Sequence, residues 1–169
     1  MVEDIIRIDG CRNPSVVTLE VGGDGNEATE EAIRGIYDSL RATSLAIKDD
    51  LVLPGGGSAH SRVSHHVRSQ MESEPGRERI AMEAFARAME TIPAVLAENA
   101  GQSPLDKVLE LRAEARKEDQ AMGVNKEGEV SPVDDVWHSL SVISESLETS
   151  TETAISMLRI DQVVSSRGD

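Results

Sequence analysis

The sequence predicts a mainly α fold entered through two short strands. Three observations lead there. Apolar residues recur at helical spacing from residue 28 to residue 158, proline and glycine signals punctuate those stretches, and β-branched runs cluster near the N-terminal end. The 169 residues suffice for one or two compact units, and 38% hydrophobic residues supply a core. Tyr37, Phe85 and Trp137 are the only aromatics, so the core is expected to be aliphatic side chains and alanine. The single Cys11 can form no intrachain bridge. A chain of this size needs none, since it buries roughly 70% of its extended surface on folding.

The elements follow in order. Ile5, Ile6 and Ile8, then Val16, Val17, Leu19 and Val21, flank an Asn13-Pro14 turn signal and read as two strands. After the glycines at 22, 23 and 25, Ile33, Ile36, Tyr37, Leu40 and Ile47 define a long helix over about 28–48, with Asn26 able to cap it. The apolar run Leu51-Val52-Leu53 meets Pro54-Gly55-Gly56-Gly57, and Ser58 starts a helix carrying Ala59, Val63, Val67 and Met71. Pro75-Gly76 breaks that helix. Ile80, Ala84, Phe85, Ala88 and Ile92 mark the next one, ending before Pro93, and a shorter helical stretch stops at Asn99-Ala100-Gly101, where left-handed backbone is tolerated.

Ser103-Pro104 is an N-cap and first-turn pair, and Leu105, Val108, Leu109 and Arg112 carry its helix toward a stop at Gly123. Asn125-Lys126-Glu127-Gly128 reads as a turn. Ser131-Pro132 repeats the start signal for a last helix, whose apolar line runs from Val133, Val136 and Trp137 to Leu158. Val163-Val164 reads as a final strand.

Charge narrows the function classes. With 31 acidic against 17 basic residues the net charge is −14, which repels a phosphate backbone and an anionic membrane surface alike. Nucleic acid and membrane are therefore not expected as partners, and so few aromatics give no base-stacking platform. No apolar run approaches the ~18 residues of a membrane span, and a soluble, reducing, cytoplasmic location is expected. Lysine occurs only at 48, 107, 117 and 126. An acid-rich, lysine-poor surface suits a salt-rich cytosol, where screening relieves self-repulsion.

Three consecutive glycines before a serine-started helix let backbone N–H groups approach a phosphate, although glycines also serve tight turns and close helix packing. Gly22-Gly23-Asp24-Gly25 lacks the Lys-Ser/Thr ending of a Walker loop and reads as a strand-to-helix turn. His65 and His66 are adjacent and diverge by about 100° on a helix, and His60 does not complete an i, i+4 pair. They read as surface histidines, and no metal site is assigned. Cys11, without a positioned base, reads as a small hydrophobe. Carboxylates are too numerous for periodicity to single out Asp38.

Taken together, Gly10-Cys11-Arg12-Asn13-Pro14, Pro54-Gly55-Gly56-Gly57, Pro75-Gly76-Arg77-Glu78, Glu83-Ala84-Phe85-Ala86, Glu98-Asn99-Ala100-Gly101, Gly123-Val124-Asn125, Gly128-Glu129-Val130 and Arg159-Ile160-Asp161 resemble, in order, the C-terminal part of a group II chaperonin subunit of the archaeal thermosome type. The resemblance implies that residues 1–50 correspond to the closing segment of the intermediate domain. Residues 51–169 then correspond to the C-terminal half of the helical, ATP-binding equatorial domain. It implies a family role in ATP-dependent protein folding, with ATP or ADP and Mg²⁺ as cofactors. Other subunits or an absent N-terminal half would be the partners, and unfolded polypeptides would be met only in a full assembly.

The resemblance also assigns residues. Asp38, 16 positions before Pro54, stands in register with the aspartate that orients the attacking water, and Arg34 also matches. Gly55, Gly56 and Gly57 inherit the approach to nucleotide, Gly56 first among them, and Asn125 matches a position near the adenine. The family's Gly-Asp-Gly-Thr-Thr-Thr phosphate loop, its metal-binding aspartate and its apical polypeptide-binding domain have no counterpart in these residues; Gly23-Asp24-Gly25 falls in the wrong register. His138-Ser139 stands where a Glu-Pro pair is usual, which removes a carboxylate near the ribose. A water-orienting aspartate without the phosphate clamp has little to act on, so little ATP turnover is expected from this chain alone. The alternative is a non-catalytic oligomerisation or regulatory module built on the same helices.

Overall fold

In a computed structural model, residues 19–23, 25–117 and 120–160 are described. The expected strands over residues 5–21 and at Val163-Val164, and Cys11, lie outside them, apart from Leu19–Val21, which are irregular. The described elements are α1 (Asn26–Asp49), β1 (Val52–Pro54), α2 (Ser58–Gln70), α3 (Gly76–Asn99), α4 (Pro104–Ala115), β2 (Met122–Val124), β3 (Val130–Pro132), β4 (Trp137–Ser139) and α5 (Leu140–Leu158). The fold is mainly α, as the periodicity predicts. The chain divides into two compact units between Leu40 and Arg41.

In the first unit, Ile33, Ile36, Tyr37 and Leu40 of α1 form one face at i, i+3, i+4 and i+7 spacing, and they line a shallow groove with Leu19 and Val21. Asn26, the expected cap, is instead the first helical residue.

In the second unit, α2, α3 and α4 pack together. The face α2 buries is not the apolar line expected of it. Ser58, Ser61 and Ser64 are its buried residues, while Ala59, Val63, Val67 and Met71 are half-buried. Small side chains let α3 approach closely, and a Cβ placed on Gly57 would lie 2.8 Å from Cβ of Pro93.

That contact explains the largest boundary difference. α3 continues through Pro93 to Asn99 instead of ending before the proline. An interior proline forfeits one helical hydrogen bond and crowds the preceding turn, at a cost of about 3 kcal/mol or more. Here the ring is buried in the α2–α3 contact, which offsets part of that cost. α3 then closes as the sequence suggests. Gly101 (φ +77°) is left-handed, its N–H donates to Glu98 O at 2.9 Å, and Gln102 N–H donates to Ala97 O at 2.9 Å, a Schellman motif. At the start of α4, Ser103 Oγ accepts from Asp106 N–H at 3.4 Å.

Two further expectations are corrected. α4 stops at Ala115 rather than running toward Gly123, and Gly123 lies inside β2. Ser131-Pro132 begins no helix but belongs to β3, which pairs antiparallel with β2 in the register Val124↔Val130. Residues 133–139 are likewise not helical: β4 pairs antiparallel with β1, Leu53 opposite His138, and α5 begins only at Leu140. The apolar residues at 133, 136 and 137 stand at helical i, i+3, i+4 spacing, and the backbone partners that β1 offers to 137–139 override it.

The core is aliphatic and alanine-rich, as composition requires. Ala97 of α3, Leu111 of α4 and Val124 of β2 form its centre, with Met122 and Val130 against it. Elsewhere large apolar side chains face outward, among them Ile92, Val95, Leu105 and Leu109 on α3 and α4. Of α5 only Ile143 is buried. That helix carries Glu145, Glu148 and Glu152 on its exposed surface and no basic residue. The thermal midpoint is accordingly expected to rise between low salt and molar KCl. Equal midpoints in a thermal melt at both concentrations would contradict the salt-adapted reading of the surface.

Candidate functional site

The glycine turn is built by three close approaches of backbone. A Cβ on Gly55 would lie 2.5 Å from Cγ1 of Val136. One on Gly56 would lie 2.6 Å from the carbonyl oxygen of Val124, and Gly57 meets Pro93 as described. Gly56 (φ +61°) and Gly57 (φ +74°) are both left-handed, a conformation that costs an L side chain roughly 1–2 kcal/mol. Gly55 N–H donates to Val136 O at 2.7 Å, Val124 N–H to Gly56 O at 2.8 Å, Ser58 N–H to Gly55 O at 3.0 Å and Ser61 N–H to Gly57 O at 2.9 Å. The glycines thus bring β4, β2 and α3 to one point.

Asn125 follows directly on Val124, so the structure brings it to the same neighbourhood as Gly55, Gly56 and Gly57. Its side chain is committed to the β2–β3 connection. Oδ1 accepts from the N–H groups of Glu127 (3.1 Å) and Glu129 (2.9 Å), and Nδ2 donates to Ser131 Oγ at 3.2 Å. Gly128 (φ +79°) completes the turn expected over 125–128.

The donor set at the turn suits an anion or phosphate in two respects. α2, 13 residues long, starts on left-handed Gly57 without a side-chain cap; Ser58 N–H is taken by Gly55 O, which leaves the N–H groups of Ala59 and His60 for another acceptor. Ser58 Oγ, in a residue only 1% exposed, has no hydrogen-bond partner among the described residues. An orphaned buried hydroxyl is costly, and a bound oxygen would relieve it.

Asp38 lies on α1 in the first unit, while the glycine turn and Asn125 belong to the second. Arg34, one turn earlier, pairs with Glu31 at 3.2 Å on the exposed helix face. His138 is exposed on β4. His60, one turn into α2, is half-buried rather than a surface residue; burial, then the positive potential of His138, pushes its imidazole pKa down.

The strongest electrostatic feature of the second unit is one that sequence reasoning missed. Glu90 of α3, 6% exposed, accepts from Ser64 Oγ (3.0 Å), from both terminal nitrogens of Arg68, and from Arg112 Nε (2.7 Å) and Nη2 (2.5 Å). Arg68 also donates to Glu83, which holds that carboxyl below its usual range, and Arg87 joins Glu83 at 2.9 Å. Burial by itself pushes the Glu90 carboxyl up, but the bonds from Arg112, Arg68 and Ser64 outweigh it and hold the group at about 2. The cluster ties α2, whose first residue follows the glycine turn, to α3 and α4. A signal was present: Ser61, Ser64 and Arg68 on α2, Ala86, Glu90, Pro93 and Ala97 on α3, and Val108 and Arg112 on α4 share helical stripes, so each stripe carries a charge.

The chain matches the TCP-1/cpn60 chaperonin family over residues 2–167. It is 38% identical to thermosome subunit beta of Archaeoglobus fulgidus over 98% of this chain and 31% of that protein. With thermosome subunit 1 of Haloferax volcanii the identity is 36%, over 96% of this chain and 30% of the relative. Among solved structures, the open-state monomer of a group II chaperonin from Methanococcoides burtonii superposes with a TM-score of 0.69 at 32% identity, covering 82% of this chain and 35% of that one. The chain therefore spans about a third of the length of the relatives it matches.

Proposed function

This chain belongs to the TCP-1/cpn60 chaperonin family, and from that premise we propose that it works as the C-terminal part of a thermosome-type, ATP-driven protein-folding machine in the cytoplasm. Residues 1–50 are then its intermediate-domain segment and 51–169 its share of the ATP-binding domain. Gly55, Gly56 and Gly57 form the backbone wall against the nucleotide phosphates, and Asn125 shapes the hairpin beside the adenine. Asp38 orients the water that attacks the γ-phosphate. ATP supplies the phosphoryl group and Mg²⁺ the charge neutralisation that such transfer needs. The clamp for both comes from sequence outside these residues, so the partners are other chaperonin subunits or a polypeptide bearing the N-terminal portion.

The observation that carries this reading is the glycine turn. Two left-handed glycines, an uncapped helix start and an orphaned Ser58 hydroxyl meet in a chain that matches the family along nearly its whole length. The outward apolar side chains of α3 and α4 suit a chain whose faces are covered by more protein.

The test mixes this chain with a polypeptide comprising the N-terminal two-thirds of a thermosome subunit, Mg²⁺ and ATP. ATP turnover is expected in the mixture and not with either part alone, and Asp38→Ala is expected to reduce it by about a hundredfold or more. Absent turnover, or turnover undiminished by Asp38→Ala, overturns the catalytic assignment. A folded oligomer by native mass, indifferent to ATP, would favour the non-catalytic module. The close packing of Gly55, Gly56 and Gly57 against Val136, Val124 and Pro93 gives that module a reason to keep its glycines.

A further inference from the structure

The end of α1 is fastened to the start of α5 by a side chain from far away in sequence. α5 has Ser139 at its N-cap position with extended backbone (φ −67°, ψ 146°), yet Ser139 makes no capping bond and the first turn holds no acidic residue. The acceptor is Asp49, in the last turn of α1: its Oδ2 accepts from Ser141 N–H at 2.8 Å, across 92 positions. Carboxylate and helix N-terminus suit each other twice over, through the satisfied N–H and through the positive end of the helix dipole. The bonds with Ser141 also hold the Asp49 carboxyl below its usual range.

The same run of chain continues the fastening. Asp50, left-handed at φ +52°, turns the backbone, and Leu51 O accepts from Leu140 N–H at 3.3 Å. Val52–Pro54 pair with Trp137–Ser139, and Gly55 N–H donates to Val136 O. From Asp49 to Gly55 the chain is thus zipped along residues 136–141, and it ends in the glycine turn.

We infer that Asp49 is a positioning residue that serves as the N-cap of α5 and rivets the last turns of α1 to the β1–β4 strap leading into the glycine turn. The end of α1 cannot leave the strap without uncapping α5, so a ligand that stiffens the glycine turn also stiffens the end of α1. This last consequence rests on the nucleotide reading given above; the rivet itself does not.

Hydrogen exchange of the full chain, read residue by residue, tests it in the wild type, Asp49→Ala and Asp49→Asn. Asp49→Ala is expected to speed exchange of the Ser141 amide and of amides 46–49 on the order of tenfold, with the α3–α4 amides around Glu90 unchanged. Asp49→Asn, which keeps an acceptor oxygen, should restore part of the Ser141 protection. Unchanged exchange at Ser141 in Asp49→Ala overturns the inference. Added ADP should slow amides 46–49 in the wild type and not in Asp49→Ala, and equal slowing in both also overturns it. Binding of a fluorescent ADP analogue is measured alongside. If none binds, the nucleotide reading fails while the alanine comparison still decides the role of Asp49.

Discussion

Glu90→Ala is expected to cost about 3–5 kcal/mol of folding stability, the range for removing one partner from a buried ion cluster. The carboxylate is 6% exposed and engages Arg68, Arg112 and Ser64 at once. Its removal leaves two guanidinium groups with like charge in the α2–α3–α4 contact, and among the described residues only Arg68 of the two retains another carboxylate, Glu83. Glu90→Gln keeps an acceptor of nearly the same shape but loses the charge, and an intermediate loss is expected. Urea unfolding followed by circular dichroism at pH 7 measures both. A loss below about 1 kcal/mol for alanine would mean that the cluster is no stronger than a surface pair.

The same residue sets an acid limit. Its folded pKa, about 2, lies below the ordinary value of 4.5. A depressed carboxyl contributes stability that is complete above the unfolded pKa and is lost as pH falls through the folded one. Wild-type stability should therefore fall between about pH 4.5 and pH 2, and Glu90→Gln should show a shallower fall over that interval. Parallel acid curves for the two proteins would assign the acid sensitivity to other carboxylates.

Local signals were legible in the sequence where a residue's own chemistry decides its conformation. Gly101 closes α3 because only a left-handed residue can complete its last turn, Ser103 caps α4, and Asn125 to Gly128 make their turn. The sequence was less legible where a distant partner decides. Pro93 stops a helix in isolation but not when its ring fills the space left by Gly57. Residues 133–139 carry apolar spacing compatible with a helix, yet β1 lies alongside and takes their backbone bonds. The glycine turn could be located from three adjacent glycines, but the reason for each one resides in Val136, Val124 and Pro93. Glu90 was hidden by abundance. Among 31 acidic residues only its position on a buried stripe sets it apart.

Gly56→Ala is the second large effect. The alanine would have to occupy a left-handed backbone, φ +61°, at roughly 1–2 kcal/mol. It would also place a methyl group 2.6 Å from the Val124 carbonyl oxygen, 2.9 Å from the Val124 nitrogen and 2.9 Å from Cγ2 of Val133. Two of those atoms are backbone of β2, and the carbonyl of Gly56 itself accepts from Val124 N–H, so the hairpin cannot give way without losing that bond. Overpacking of this kind costs about 1–3 kcal/mol, and the sum is about 2–5 kcal/mol. Gly101, also left-handed (φ +77°) and in the same compact unit, has nothing within 4 Å of where an added methyl group would sit, so Gly101→Ala reports the left-handed backbone cost without overpacking. Urea midpoints of the two variants separate the effects: Gly56→Ala should lose more stability than Gly101→Ala by the overpacking share. If Gly56→Ala lost no more than Gly101→Ala, the close approach of the turn to β2 would be energetically empty. The requirement for glycine at position 56 would then have to come from a bound ligand.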